Sequence, residues 1–182
     1  MARLHLVRHG RAAAGWEDDH DPGLDALGRH QAELAAARLA PLGPLPLVCS
    51  PLRRTQETAE PLAALWATPP TIDDRVAEIP SPTDDLAERG AWLRGALAGT
   101  WTDLGADHLA WRERLLGALA GIEQETVVVS HFVAINAVIG AATGDDRLVV
   151  MAVGNASVTV VDHDGSAFHL VSAPDVESTE VM

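Results

Sequence analysis

The feature that most constrains this chain is a repeated switch in hydrophobic period. Short apolar runs at residues 3–8, 45–49 and 126–130 alternate with longer stretches at 25–42, 51–66 and 132–142 whose apolar residues suit helices. This is βαβα order, the pattern of a mostly parallel sheet. In the first helix Leu24, Leu27, Leu34 and Leu39 follow roughly helical spacing, Arg29, Glu33 and Arg38 are left to face water, and Asp25 is placed to cap it. Residues 126–130 are a β-branched run of the kind found in buried parallel strands, and 132–142 suit a buried helix.

Between these segments, residues 71–73 form a short extended stretch. Residues 84–97 and 106–122 read as two helices broken at Gly99-Thr100, an excursion beside or over the sheet that carries Trp92, Trp101 and Trp111. Residues 149–153 and 157–162 read as strands, the second joined to 167–172 through a hairpin turn at Asp162-His163-Asp164-Gly165-Ser166. There is no internal repeat. Residues 1–174 are expected to form a single domain, and 175–182 a mobile acidic tail without an apolar period.

Composition narrows the possible chemistry. A formal charge of −13 argues against nucleic acid and anionic membranes as partners, so any phosphate must be held by a few well-placed cations. All 13 basic residues are Arg. With no Lys, a P-loop lysine, a Schiff base and a kinase-type lysine are impossible. The single Cys49 permits no internal disulfide and no cysteine-rich zinc site. No signal peptide or membrane-spanning run is legible, so cytoplasm is the expected compartment. No feature of the sequence specifies an oligomeric state.

Three segments carry the chemistry. Arg8-His9-Gly10 closes the first strand, placing a cation and a nucleophile at the sheet edge where helix N-termini leave N–H groups unpaired and anions collect. Ser50-Pro51-Leu52-Arg53-Arg54-Thr55-Gln56-Glu57-Thr58-Ala59 starts where the second strand ends. Ser50 reads as an N-cap and Pro51 as the first helical residue, which puts Arg54 about one turn in. A guanidinium there favours phosphate through its planar fork and through the helix dipole. Val127-Val128-Val129-Ser130-His131 again runs from strand to helix, with Ser130 as a cap and His131 at the mouth. Arg53 reads as a surface residue, the other six histidines as structural or solvent-facing, and the tryptophans as packing. Cys49 does not fit a cysteine phosphatase: six positions on stands Thr55, and Arg54 falls one short.

In these segments, together with Leu24-Asp25-Ala26-Leu27-Gly28-Arg29-His30-Gln31-Ala32 and Asn155-Ala156-Ser157-Val158, the sequence resembles the histidine phosphatase superfamily, which includes phosphoglycerate mutases and many small phosphatases. The resemblance runs in order through nearly the whole chain. It implies a phosphoglycerate mutase-like three-layer α/β/α sandwich, with a mostly parallel central sheet and antiparallel additions near the end. By position it implies His9 as the nucleophile, Arg8, Arg54 and His131 as ligands of the phosphoryl oxygens, and Glu78 as the acid for the leaving alcohol. Asp73, Asp74, Asp84 and Asp85 are the fallback acids. No cofactor and no metal are expected. The implied reaction is hydrolysis of a small phosphorylated metabolite by a histidine acid-type phosphatase.

The chemistry is coherent without the family. Imidazole has a free nitrogen at neutral pH, and its phosphoramidate is labile enough for water to cleave. Two guanidiniums and a second imidazole donate to the equatorial oxygens of a loose transition state. Glu78 serves as an acid only if burial or a neighbouring carboxylate raises its pKa. Arg11 replaces the Glu or Gln frequent in relatives, and Phe132 a frequent Gly, which alters pocket size and polarity. Mutase lysine and tyrosine contacts have no counterpart, which favours a phosphatase over a mutase. The competing readings are a phosphohistidine protein phosphatase, favoured if Glu78 is remote from His9, and a silent member that only binds a phosphorylated ligand.

Overall fold

The computed structural model describes residues 1–174; the segment 175–182, expected above to be a mobile tail, lies outside them. Six strands, β1 (Ala2–Arg8), β2 (Leu47–Cys49), β3 (Thr71–Ile72), β4 (Thr126–Ser130), β5 (Val158–His163) and β6 (Phe168–Ser172), form one sheet in the order β3-β2-β4-β1-β5-β6. The ladders β3–β2, β2–β4 and β4–β1 are parallel, while β5 runs antiparallel to β1 and β6 antiparallel to β5. The helices are α1 (Ala26–Leu39), α2 (Arg53–Trp66), α3 (Leu86–Leu97), α4 (Ala106–Ala120) and α5 (Phe132–Thr143). No helix among the described residues is long and apolar enough to cross a membrane.

The period-2 alternation of the strands makes the layers. Leu4, Leu6 and Val128 point into one core with Trp111, Leu115 and Leu119 of α4 and Val133, Ile135, Val138 and Ile139 of α5. Val7, Val127, Val129, Leu47 and Cys49 point the opposite way, into a second core with Ala36 and Leu39 of α1 and Ala59, Leu62 and Trp66 of α2. Adjacent residues of one strand thus feed different cores, the signature of a sheet covered on both faces. The result is the expected three-layer α/β/α sandwich.

Three local expectations need correction. Residues 149–153 form no strand: the N–H groups of Val150 and Met151 both donate to Oδ1 of the buried Asn136, at 2.8 and 2.9 Å, so a side chain of α5 replaces a ladder partner. Helix α1 buries Ala32, Ala35, Ala36 and Leu39, while Leu27 and Leu34 remain 38% and 54% exposed. Small side chains let α1 lie close to α2, and the leucine spacing is overridden by that packing. The helix expected from Pro51 begins at Arg53, after an extended Leu52. Asp25 does cap α1, accepting from Gly28 N at 2.7 Å.

Candidate active site

Strand register brings the chemical groups together. Arg8 is level with Ser130, and Cys49 with Val129, so the residues one step beyond β1, β4 and β2 emerge side by side. Hydrogen bonding continues past the strands: His9 N donates to Ser130 O at 3.0 Å and Ser50 N to Val129 O at 3.2 Å. Because β4 lies between β2 and β1, His131 sits between Ser50 and His9.

His9 is buried, with its Nδ1 2.7 Å from its neighbour's carbonyl, Gly10 O. A carbonyl only accepts, so Nδ1 carries the ring proton and Nε2 keeps its lone pair. Nε2 accepts from Arg54 Nε at 3.3 Å. Burial, and then the charges of Arg54 and Arg8, hold the ring's pKa well below its ordinary value, so the ring is neutral at pH 7. The loop is locked from several sides. Gly10 N donates to Thr58 Oγ1 at 2.9 Å, Asn155 Nδ2 to His9 O at 3.1 Å, and a Cβ on Gly10 would overlap the carbonyl of Gly28.

Arg54 stands at the second residue of α2 rather than a full turn in. Its Nη2 donates to His131 Nδ1 at 3.3 Å, so one guanidinium bridges both imidazoles. Ser50 does not cap α2 directly; its Oγ lies 3.3 Å from Leu52 N and 2.8 Å from Nε2 of His131. His131, fully buried, is itself the N-cap residue of α5, and burial together with His9, Arg54 and Arg8 depresses its pKa strongly. Ser130, expected as a cap, instead donates through Oγ to Val76 O at 2.7 Å, which ties the segment before Glu78 to the end of β4.

Arg8 donates through Nη1 to Val153 O at 2.6 Å and lies over the Phe132 ring at 5.1 Å. Neither neighbour neutralises it, and its buried Nε has no partner among the described residues. Burial brings its pKa down to about 10, so it remains a cation. Glu78 faces the N-terminus of α5: Oε1 accepts from Ile79 N at 3.0 Å and Ala134 N at 3.2 Å, and Oε2 from Val133 N at 3.2 Å. Burial raises its pKa, against the opposing pull of those N–H groups and of Arg54 and Arg8. Glu78 is therefore within electrostatic reach of both arginines.

The fallback acids are engaged elsewhere. Asp73 chelates Arg75, with a shortest contact of 2.6 Å, and Asp85 caps α3 by accepting from Glu88 N; Asp74 and Asp84 are exposed. Arg11 turns outward to Asp25 at 2.6 Å, and Arg53 to Glu57 at 2.7 Å. Sequence reasoning missed Asp21, whose Oδ1 accepts from Arg53 N at 2.8 Å and lies 4.0 Å from Arg54 Nη1. No spacing links it to Arg54; only the fold does. Among the described residues, no group of three or more His, Cys, Asp or Glu side chains converges as a metal site would.

The arrangement is two arginines and two neutral imidazoles facing one another, a cationic cluster in an acidic protein, suited to a dianionic oxyanion group. Comparison with known proteins agrees with that chemistry. The chain is 31% identical to a glucosyl-3-phosphoglycerate phosphatase of Mycolicibacterium vanbaalenii, over 86% of this chain and 82% of that protein. It is 28% identical to a probable phosphoglycerate mutase, GpmB, of Yersinia pestis, over 79% and 76%. The solved mycobacterial glucosyl-3-phosphoglycerate phosphatase in complex with VO3 has a TM-score of 0.70 at 26% identity, covering 93% of this chain and 97% of its own. YhfR of Bacillus stearothermophilus shares the fold, with a TM-score of 0.78 at 22% identity over 97% and 98%. Residues 4–176 match the histidine phosphatase superfamily (branch 1), nearly the whole chain, so this chain belongs to that superfamily.

Proposed function

We propose that this protein is a histidine acid-type phosphatase, a phosphoric monoester hydrolase that cleaves a small phosphorylated metabolite in the cytoplasm through a phosphohistidine on His9, with residues 1–174 as its catalytic unit. The observation that carries the reading is the direction of the His9 ring: Nδ1–H is held by Gly10 O, which leaves the lone pair of Nε2 aimed into the arginine cluster. In the first step Nε2 attacks phosphorus, the P–O bond to the alcohol breaks, and the departing oxygen takes the proton of Glu78. Arg8, Arg54 and His131 bind the three equatorial oxygens, where charge accumulates. In the second step the Glu78 carboxylate takes a proton from water as that water attacks the phosphohistidine, and inorganic phosphate leaves.

Glu78 suits the acid role because burial raises its pKa and the N–H groups of α5 fix its direction. Its electrostatic pull on Arg8 and Arg54, the proposed phosphoryl ligands, supports an acid role in cleaving a phosphomonoester. Cys49 is not a competing nucleophile, since burial pushes its thiol up to about 11 and its Sγ donates to Ser50 O. The absence of Lys and Tyr removes the mutase contacts and favours transfer to water. The named phosphatase relative supports the same direction. The test is turnover of p-nitrophenyl phosphate and of a panel of phosphorylated metabolites by purified protein in EDTA. Hydrolysis lost in His9→Ala supports the reading; binding without hydrolysis would make the protein a phospho-ligand binder.

A further inference from the structure

Ser50 is fully buried, carries no charge, and lies on the far side of His131 from the phosphoryl site, yet the hydrogen bonds of the site run through it. His131 has two ring nitrogens and two partners. Nδ1 faces Arg54 Nη2 at 3.3 Å, and a guanidinium can only donate, so Nδ1 must accept. The ring proton therefore resides on Nε2, and at 2.8 Å the acceptor is Ser50 Oγ. Leu52 N–H also points at Oγ, from 3.3 Å, so both lone pairs of the hydroxyl are used by donors. The neighbouring Cys49 thiol turns to the Ser50 carbonyl and does not compete for Oγ.

We infer that Ser50 is a positioning residue: by accepting the Nε2 proton it fixes His131 in the tautomer whose Nδ1 faces the phosphoryl site, so that the ring becomes a doubly protonated donor only when a dianion arrives. This rests on the proposed phosphoryl site.

The consequence follows from hydrogen-bond polarity. A phosphoryl dianion offers only acceptors, and Nδ1 of the free protein is an acceptor too, so the two cannot bond until Nδ1 gains a proton. That proton comes from solvent or arrives on a monoanionic ester. The charged and titratable groups around the ring are His9 beyond β1, Arg8 on β1, Arg54 on α2, and Glu78 at the N-terminus of α5. Burial and the charges of the two arginines disfavour protonation of His131 in the free protein, and His9 adds to this only if it is itself protonated. A dianion placed among them reverses the balance, and Ser50 Oγ continues to accept from Nε2–H in both states. Without the hydroxyl, Nε2–H would be buried unpaired, and the ring could take the other tautomer, with an Nδ1–H directed at Arg54.

The experiment is 15N NMR of the full-length protein labelled at histidine, with His131 assigned through loss of its signals in His131→Asn. Sulfate is the probe, because it remains a dianion across the working range. At neutral pH the free protein should show His131 protonated at Nε2 alone, and saturating sulfate should protonate both nitrogens. Ser50→Thr should keep the Nε2–H tautomer. Ser50→Ala should show mixed tautomers and lose roughly 10–100-fold in kcat, by analogy with the loss when a metal-bound imidazole is deprived of its orienting partner. An Nδ1–H tautomer in the free wild-type protein, or a neutral ring in the sulfate complex, overturns the inference whether or not Ser50→Ala folds. So does Ser50→Ala with one tautomer and full kcat. Wild-type turnover through phosphohistidine combined with the wrong tautomer overturns this inference alone. The expected spectra without any turnover would overturn the hydrolase reading and leave the anion-linked ring standing.

Discussion

Arg54 Nε lies 3.3 Å from Nε2 of His9, so the ring nitrogen that keeps its lone pair already faces the cation that would receive the phosphoryl oxygens. Lysine at position 54 could not reproduce this. Its ammonium is a point charge, whereas the guanidinium reaches both imidazoles at once. Arg54→Lys should lower kcat/KM on the order of 10²–10³-fold, as for removal of one preorganised donor. Arg53→Lys, at an exposed residue paired with Glu57, should stay near wild type. Steady-state kinetics of the two variants check this, and a reversed order contradicts it.

Glu78 predicts a leaving-group dependence. An alkoxide needs protonation far more than p-nitrophenolate does. Glu78→Gln should therefore slow cleavage of an alkyl phosphate on the order of 10²–10⁴-fold and of p-nitrophenyl phosphate much less. Because Glu78 also serves in the water step, the burst phase must be resolved from steady-state turnover. Equal slowing of the burst for both substrates would remove the acid role.

The two buried histidines set a pH dependence of stability. Their folded pKa values lie below 6.5, so as pH falls through 6.5 the unfolded chain binds protons that the native state does not. Unfolding is then favoured by acid: stability is full above about pH 6.5 and declines below it. Glu78 acts with the opposite sign, since its raised pKa makes the native state bind a proton first as pH falls. His9→Gln should flatten the slope between about pH 6.5 and 5.5 by up to about 1.4 kcal/mol per pH unit, measured by urea unfolding. An unchanged slope would mean that His9 is not held neutral.

Gly28 gives a test of packing beneath the site. Glycine to alanine in a helix ordinarily stabilises by about 1 kcal/mol. Here a Cβ would overlap the backbone carbonyl of Arg11, in the loop that follows His9. Backbone yields poorly, so Gly28→Ala should destabilise by about 1–3 kcal/mol, read as a lower midpoint in thermal or urea unfolding. A gain in stability would contradict the close approach of α1 to that loop.

Much of this architecture was legible in the sequence, for a physical reason. Strands β1, β2 and β4 announce themselves as apolar runs, His9 and His131 directly follow β1 and β4, and Arg54 opens the helix after β2, so their gathering at one sheet edge could be expected from position. Contacts that depend on register could not. The bond between Ser50 and His131 joins neighbouring strands, and the approach of Asp21 to Arg54 joins a loop to a helix start. Residues 149–153 misled because a β-branched apolar run reads as a strand unless one knows that Asn136 takes its N–H groups. The leucines of α1 misled because helix packing selected the alanine face instead.

The central claim is that phosphate passes through Nε2 of His9. Brief reaction of the protein with a 32P-labelled phosphomonoester, followed by alkaline quench and peptide mapping, should leave label on His9 that is stable to base and lost in acid. His9→Ala should carry none. Label on Cys49, on a serine or on Glu78, or hydrolysis that persists in His9→Ala, would contradict it.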